Sequence, residues 1–227
     1  MNEQHATLVE RMFFQEAQNR AYDKRTPFRG VVVFRDLQNP DGPPVIVENL
    51  VIQNGREIAL RKLFNLYPTG DSTLANFNKR IICGFGVGDG GTPLGDPLSP
   101  ITPTPADTGL SNAVIFQTTL TSTLAGYIDK AQVGLDYNWN KKAFTSPPAL
   151  TVNTFTNEIY VKMTLGISAL DCRGSNVNEI VLYTGIETTP GSGVFGSFIA
   201  FSRLTFPTEA FPLLSNKAFE YDYYLYV

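Results

Sequence analysis

The residues with the chemistry to catalyse a reaction or bind a metal are few and widely separated in this chain. Histidine occurs once, as His5, so neither a histidine-based triad nor a pair of histidine metal ligands can form within one chain. The two cysteines, Cys83 and Cys172, lie outside any C-x-x-C arrangement, which excludes a cysteine-rich zinc site. Their separation favours two buried thiols, with a disulfide bridge as the alternative.

One glycine-rich string has the form of a dinucleotide-binding fingerprint. Gly86-Val-Gly-Asp-Gly-Gly91 matches G-x-G-x-x-G and follows an apolar strand. A pyrophosphate-binding turn must open a helix, whereas this string continues into Thr92-Pro-Leu-Gly-Asp-Pro97, which cannot form one. We therefore interpret the string as a strand end with backbone bends and predict no bound cofactor.

Carboxylates are the remaining candidates for catalysis, because glycoside hydrolysis needs two of them across a cleft. Five acidic residues are available for such a pair: Asp129, Asp136, Asp171, Glu179 and Glu187. Their spacing singles out no pair, and acidic residues in strands and turns are most often solvated or cap backbone amides. Four further aspartates lack the dense spacing of a calcium-binding loop: Asp71, Asp89, Asp96 and Asp107. The sequence therefore predicts no catalytic residue and no metal site.

The composition favours a β-rich protein without nucleic-acid or membrane partners. Charged residues make up only 17% of the 227 residues, while glycine and proline are plentiful, which suits short strands joined by tight turns. A formal net charge of -3 supplies no cationic field for DNA, so no direct nucleic-acid binding is expected. No apolar run approaches membrane-spanning length and no secretory leader pattern opens the chain, so we expect no membrane insertion and assembly in a cytoplasm.

The first residues predict a helical arm. Within residues 3–20, Leu8, Met12 and Phe13 recur at helical spacing, and Phe14 widens the apolar face. We place this arm over residues 1–26, ahead of a domain at residues 27–227. Its apolar face packs either on its own domain or on a neighbouring subunit, and these four residues are candidate subunit contacts.

The rest of the chain predicts mainly β structure. Asn54 caps one internal helix, with Glu57 at the capping-box position and Leu60 on its apolar face. Strands are predicted over residues 30–34, 45–52, 80–87, 113–124, 127–137, 158–167, 180–183, 198–206 and 218–227. Because these strands show no regular alternation with helices, they predict an antiparallel β-sandwich, jelly-roll-like, with an N-terminal helix and one internal helix.

The longest stretch without predicted structure is the Pro/Gly-rich loop, residues 90–108. Its prolines lack backbone donors, so it cannot join the interior of a sheet. A loop of this length within a compact domain is usually functional or disordered. We expect Leu94, Leu98 and Ile101 to leave it unanchored on its own domain and to contact an adjacent subunit.

Three side chains need particular surroundings. Arg203 lies in an otherwise apolar strand, where an unpaired charge is costly, so we expect a carboxylate partner such as Glu179 or Glu187. Asn178 is expected to make a turn ahead of that glutamate. Trp139 predicts either an exposed aromatic patch for protein or sugar contact, or ordinary core packing.

Five segments, in this order, resemble a family of tailed-bacteriophage virion proteins. They are Asn54-Gly-Arg-Glu57, Gly84-Phe-Gly-Val-Gly-Asp-Gly-Gly91, Pro103-Thr-Pro-Ala-Asp-Thr-Gly-Leu110, Asn176-Val-Asn-Glu-Ile-Val-Leu-Tyr183 and Ser202-Arg-Leu-Thr-Phe-Pro207. In the fourth segment Val181 stands where glycine is commoner in the family. The resemblance covers residues 54–227. It implies a structural part of a virion, carried in the neck, tail or baseplate, and not an enzyme.

The resemblance also implies partners and a location. The partners would be further copies of the chain, as a homo-oligomer, and other virion proteins. The location would be the virion, assembled in the host bacterial cytoplasm. Two alternatives remain open: a capsid decoration or host-receptor-binding module that uses aromatic loops, and a depolymerase that uses paired carboxylates.

Overall fold

The computed structural model describes residues 29–39, 42–63, 79–153, 158–214 and 216–226. This part of the chain is mainly β, with antiparallel strand pairs and one helix. The predicted arm at residues 1–26, with Leu8, Met12, Phe13 and Phe14, lies outside the described residues. No helix in the described part is long and apolar enough to cross a membrane.

The described elements are eleven strands and one helix. The strands are β1 (Arg29–Asp36), β2 (Val45–Val51), β3 (Ile81–Gly88), β4 (Gln117–Thr119), β5 (Tyr127–Val133), β6 (Asp136–Lys142), β7 (Ser146–Asn153), β8 (Glu158–Ile167), β9 (Ser175–Glu187), β10 (Phe195–Phe211) and β11 (Phe219–Tyr226). The helix α1 (Gln53–Leu63) lies between β2 and β3 in the chain.

The strands form one hydrogen-bonded path in the order β4-β6-β3-β9-β10-β2-β1-β11-β8-β7, and β5 pairs with β6. The pairing between β10 and β2 is short and consists of two residue pairs, Ser202 with Val51 and Arg203 with Leu50. β3 and β8 are six steps apart along this path, which is roughly 29 Å in a flat sheet. They nevertheless line one groove, so the path folds over on itself.

The core lies inside this fold. A single buried cluster includes Phe85 of β3, Leu182 of β9 and Leu204 of β10, together with Met163 of β8 and Tyr221 of β11. β11 contributes Phe219, Tyr221 and Tyr223, which alternate along the strand and are all buried. Its opposite face is also covered, since Asp222 is buried and pairs there with Arg35 and Lys162.

The helix differs in detail from its prediction. It begins one residue before Asn54, and Glu57 forms an ion pair with Arg61 one turn later. Leu60 was expected on the apolar face but is exposed, whereas Ile58 is buried. The buried face is therefore rotated from the one that the leucine spacing suggested.

Several strand predictions also change. The bounds of β8 are confirmed, whereas the single strand predicted at residues 127–137 is wrong. Gly134 turns the chain there with a positive φ of 64°, which makes a hairpin of β5 and β6. The strand predicted at residues 113–124 shrinks to β4. β7 was not predicted because it contains Pro147 and Pro148, which an edge strand tolerates where the register shifts.

Candidate functional site

A buried ion pair joins the two central strands β9 and β10. Arg203 projects from β10, and its Nε and Nη2 atoms donate to Glu179 Oε2 of β9 at 2.9 and 2.6 Å. The Arg203 side chain is 7% exposed and the Glu179 side chain 0%. The expected pairing of Arg203 with Glu179 is thus confirmed. Glu187, the other candidate, instead accepts hydrogen bonds from the amides of Gly191 and Gly193 in an exposed turn.

The same guanidinium reaches the end of the Pro/Gly-rich loop. Its Nη1 donates to Asp107 Oδ2 at 2.8 Å, and its Nη2 donates to Ser111 Oγ at 2.7 Å. Asp107 in turn accepts hydrogen bonds from the backbone amide and hydroxyl of Thr104, at 3.1 and 2.8 Å. Arg203 therefore connects the strand core to the segment around residues 104–111.

The second carboxylate oxygen of Glu179 accepts hydrogen bonds from backbone amides at both ends of the Pro/Gly-rich loop. Oε1 accepts hydrogen bonds from the amides of Gly90 at 3.3 Å, Ser111 at 2.9 Å and Asn112 at 3.1 Å. This confirms the expectation that Glu179 caps backbone amides. One buried carboxylate thus fixes the point where the chain leaves β3 and the point where it returns.

Asn178 completes this arrangement, which we call the loop anchor: Asn178, Glu179, Arg203, Asp107 and Ser111. Its Oδ1 accepts from the amide of Gly91 at 2.5 Å, and its Nδ2 donates to the carbonyl of Asp89 at 3.0 Å. The Nδ2 group also donates to Thr92 Oγ1 and Thr208 Oγ1. Asn178 was expected to make a turn, but it lies within β9 and its side chain takes the hydrogen bonds of a neighbouring loop.

The glycine-rich string is shaped by close approach of backbones. A Cβ atom on Gly91 would lie 2.1 Å from the carbonyl oxygen of Asn178, and one on Gly88 would lie 2.3 Å from that of Asn112. The prediction of a strand end is confirmed, because β3 ends at Gly88 and no helix follows it as far as β4. These two glycines therefore make room for protein backbone.

The Pro/Gly-rich loop is tied to its own domain by polar contacts. The amide of Ile101 donates to the carbonyl of Gly91 at 2.8 Å, and that of Thr208 donates to the carbonyl of Pro97 at 2.7 Å. Pro105 accepts a hydrogen bond from the first residue of α1. The expectation of an unanchored loop was wrong, because backbone hydrogen bonds hold the loop although its apolar side chains do not.

The predicted contact residues of this loop face outward. Leu94, Leu98 and Ile101 are 107%, 75% and 43% exposed. A loop fixed by hydrogen bonds thus presents apolar side chains to the surroundings.

Hydrogen bonding within the loop anchor favours the ionised forms of Asp107 and Arg203. Burial works against a charged Asp107, but hydrogen bonds from Arg203 and Thr104 outweigh it and hold the pKa of Asp107 below its usual range. Burial also disfavours a charged Arg203, and its bonds to Asp107 and Glu179 nevertheless raise its pKa. The hydrogen bonds between these groups are therefore charge-assisted at neutral pH.

A second buried carboxylate, Asp171, lies in the turn between β8 and β9. It accepts hydrogen bonds from Lys142 Nζ at 2.7 Å, from the amide and hydroxyl of Ser168 at 2.8 and 2.9 Å, and from the Tyr127 hydroxyl. Burial opposes its charge, yet the bonds from Lys142 and Tyr127 lower its pKa. Asp171 thus clamps β6 against this turn.

The other predicted candidates take structural places. Asp129 pairs with Lys141. Trp139 is fully buried beside Tyr127, with ring centroids 6.2 Å apart, so of its two predicted roles core packing is confirmed and an exposed aromatic patch is not found. Cys83 and Cys172 are buried free thiols, as predicted. Among the described residues, no group of three or more His, Cys, Asp or Glu side chains is placed to hold a metal ion.

Sequence reasoning missed Asp107 and Ser111 as partners of Arg203. The two contacts span 96 and 92 residues, so local spacing gives no hint of them. The one sequence feature that could have pointed to these contacts is the position of Asp107 within the Thr-Pro-Ala-Asp-Thr string. In comparisons with known proteins, no family model, no curated protein and no solved structure matches this chain.

Proposed function

We propose that this chain is a structural subunit of a tailed-phage virion, carried in the neck, tail or baseplate, which assembles with copies of itself and with other virion proteins. The observation that carries the proposal is the loop anchor. It joins the glycine-rich string, the Thr-Pro-Ala-Asp-Thr string, the Asn178-Glu179 segment and the Arg203 segment in one hydrogen-bonded cluster around the buried Glu179–Arg203 pair. These are four of the five segments in which the sequence resembles that family.

The fifth segment also belongs to this unit. The helix that contains Asn54-Gly-Arg-Glu57 begins at Gln53, whose amide donates to the carbonyl of Pro105 at 2.8 Å. Segments far apart in sequence are therefore in contact in one structure. These contacts support the view that the shared order of the segments reflects a shared fold.

We further propose that the folded-over strand path is an antiparallel β-sandwich of the jelly-roll kind, with an N-terminal helix added to it. The buried cluster that spans β3, β9 and β10 and also β8 and β11 supports two facing layers. A sandwich of this kind serves as a rigid building block, because the loops that it carries are held by the strands beneath them.

The fixed Pro/Gly-rich loop suits such a block. Exposed Leu94 and Leu98 lie on backbone that the loop anchor already orders, so little further conformational entropy is lost when a neighbour covers them. Each side chain gains about 1.5–3 kcal/mol on full burial. In a symmetric assembly this gain recurs at every interface.

The carboxylates support a structural role over catalysis. Glu179 and Asp171 bind buried cations and backbone amides, which leaves them no free oxygen lone pair directed at a cleft. A glycosidase acid needs a raised pKa, and the pKa values of Asp107 and Asp171 are lowered. We therefore propose that the protein is not an enzyme. The receptor-binding alternative relied on exposed aromatic side chains, and the candidate among them, Trp139, is buried.

The test is to find the chain in particles and to measure its assembly. Mass spectrometry of purified virions should detect it at a stoichiometric copy number, and light scattering of the purified chain should show an oligomer. A monomer that is absent from particles would contradict the proposal. Turnover of host-surface polysaccharide that disappears on replacing one carboxylate would contradict it as well.

A further inference from the structure

An apolar groove of about 410 Å³ opens between the two halves of the folded-over strand path. Its lining includes Ile58 of α1, Ile82 of β3, Val161 of β8 and Leu225 of β11. Arg80 also lines it, but its guanidinium donates to the carbonyl of Ser197 at 2.6 Å. The groove therefore offers mostly hydrocarbon, with room for several side chains.

The apolar surface continues from the groove along β7 and β8. Leu150 pairs with Val161, and Val152 pairs with Ile159, which places all four on one face of the sheet. Leu150, Val152 and Ile159 are 67%, 58% and 46% exposed. On the side of β3, Ile81 lines the same groove and is exposed. A contiguous surface of this kind is typical of a protein contact.

The N-terminal segment joins the domain at the rim of this groove. Gly30 pairs with Leu225, and Leu225 pairs with Val161, so the first strand enters beside two residues that line the groove. Neighbouring strands lie about 4.8 Å apart, which puts Gly30 about 10 Å from Val161. Residues 1–28 therefore connect to the domain at this surface.

We propose that the groove receives the apolar face of the N-terminal segment, formed by Leu8, Met12, Phe13 and Phe14, from a neighbouring copy of this chain. The inference rests on the homo-oligomer of the proposed function and names its receiving surface. The sequence predicts an amphipathic helix there, and such a helix binds an apolar groove through side chains spaced three or four residues apart. The segment supplies four large apolar side chains and the groove supplies matching hydrocarbon.

The homo-oligomer of the proposed function makes a neighbouring copy the donor of this segment. Pro27 disfavours helix at Thr26, and residues 21–28 would span up to roughly 26 Å if fully extended. The segment therefore has the length to reach the groove of an adjacent subunit.

Cysteine crosslinking of the full-length protein tests the inference. Met12→Cys and Ile81→Cys are placed on separate chains that carry tags of different size, and the chains are co-expressed and oxidised. We expect a disulfide-linked heterodimer from this mixture. The native thiols are buried, so the wild-type chain supplies the background. In the matched control, Ile81→Cys is replaced by Leu214→Cys, which lies at an exposed site that does not line the groove. This pair should give at least tenfold less crosslinked product.

The outcomes separate the possible occupants of the groove. A crosslink that forms only within a chain carrying both cysteines would overturn the inference, because the segment would then lie on its own domain. Native mass spectrometry that finds a small molecule bound to each chain would also overturn it. Ile81→Glu is expected to dissociate the oligomer with little change in melting temperature, whereas Leu214→Glu is not. An unchanged oligomer in Ile81→Glu would count against the groove.

Failure of this inference differs from failure of the proposed function. If the chain is present in virions and no interchain crosslink forms, only the groove assignment fails. If the crosslink forms and the chain is absent from virions, only the assignment to the virion fails.

Discussion

Arg203 binds only one oxygen of the Glu179 carboxylate and leaves the other to the backbone. Oε2 receives both Nε and Nη2 of the guanidinium, while Oε1 receives the amides of Gly90, Ser111 and Asn112. A buried charge is tolerated when it is both paired and hydrogen-bonded, and this division achieves both. The stability of the loop therefore depends on an ion pair beneath it.

Glu179→Gln should destabilise the protein by about 3–5 kcal/mol, because it removes a charged partner of the buried Arg203 guanidinium. A glutamine also has one carbonyl oxygen where the carboxylate has two, so it cannot serve the guanidinium and the three amides together. Urea unfolding followed by circular dichroism measures the change. Asp96→Asn, at an exposed position of the same loop, is the control and should cost under about 0.5 kcal/mol. An equal midpoint for the two variants would contradict this account.

Asp107→Asn should loosen the loop while the strands stay folded. The change removes one charge-assisted bond to Arg203, which is worth about 1.5–3 kcal/mol, and Arg203 keeps Glu179. Limited proteolysis with peptide mapping should show faster cleavage within residues 92–106 than in the wild type. Equal cleavage rates would mean that other contacts, such as that of Thr208 with Pro97, hold the loop alone.

Gly88→Ala should cost at least about 1–3 kcal/mol, since its new methyl group would meet the carbonyl of Asn112 and the Glu179 carboxylate. Gly109→Ala is the matched control, because the nearest atom to its added Cβ is 3.6 Å away, on Tyr183. Thermal unfolding of the two variants compares them directly. A similar loss in both would show that the glycine string is needed for backbone freedom alone.

Stability should fall in acid through Asp107 and Asp171. Both have lowered pKa values in the folded protein, so their contribution is complete above the unfolded-state pKa of about 3.9. It is lost as the pH falls through the folded-state pKa, because the unfolded chain then binds more protons. The free energy of unfolding should therefore decrease with falling pH below about pH 5. Asp171→Asn should show a shallower decrease, and an unchanged slope would contradict the assignment.

The two thiols should be unreactive in the folded protein. Burial raises the pKa of Cys83 to about 12 and also raises the pKa of Cys172. Because the thiolate is the reactive species, labelling with a disulfide reagent at pH 8 should be slow and should follow unfolding. In denaturant both thiols should react at once. Fast labelling of either one without denaturant would show local opening at that site.

The strands that the sequence predicts well are those whose apolar residues alternate without interruption. β8 and β11 are of this kind. In β8, Met163, Leu165 and Ile167 are buried, whereas Ile159 near the start of the strand is exposed. β7 was not predicted because Pro147 and Pro148 argue against a strand. The two prolines are tolerated there because β7 lies at the edge of the sheet. That place is a property of the whole fold, which local sequence does not contain.

The candidate site was predictable to the extent that a buried charge demands a partner. Arg203 in an apolar strand required a carboxylate, and Glu179 on the adjacent strand is that carboxylate. The role of Asn178 was not predictable, because its partners at Asp89 and Gly91 come from a loop nearly ninety residues earlier, with separations of 89 and 87. Local turn propensity gave the wrong expectation there, since tertiary hydrogen bonds outweigh it.

The pairing of β1 with β11 sets the order of events when the protein is made. Arg35 of β1 and Asp222 of β11, which form an ion pair across these strands, are 187 residues apart in the chain. Among the described strands, β11 pairs with β8 on one side and with β1 on the other, so neither β1 nor β8 can complete its hydrogen bonds until β11 has left the ribosome. Until then both present an unpaired strand edge, which favours association with other chains. Chaperones that shield strand edges during synthesis should therefore raise the yield of this protein more than agents that stabilise its folded state.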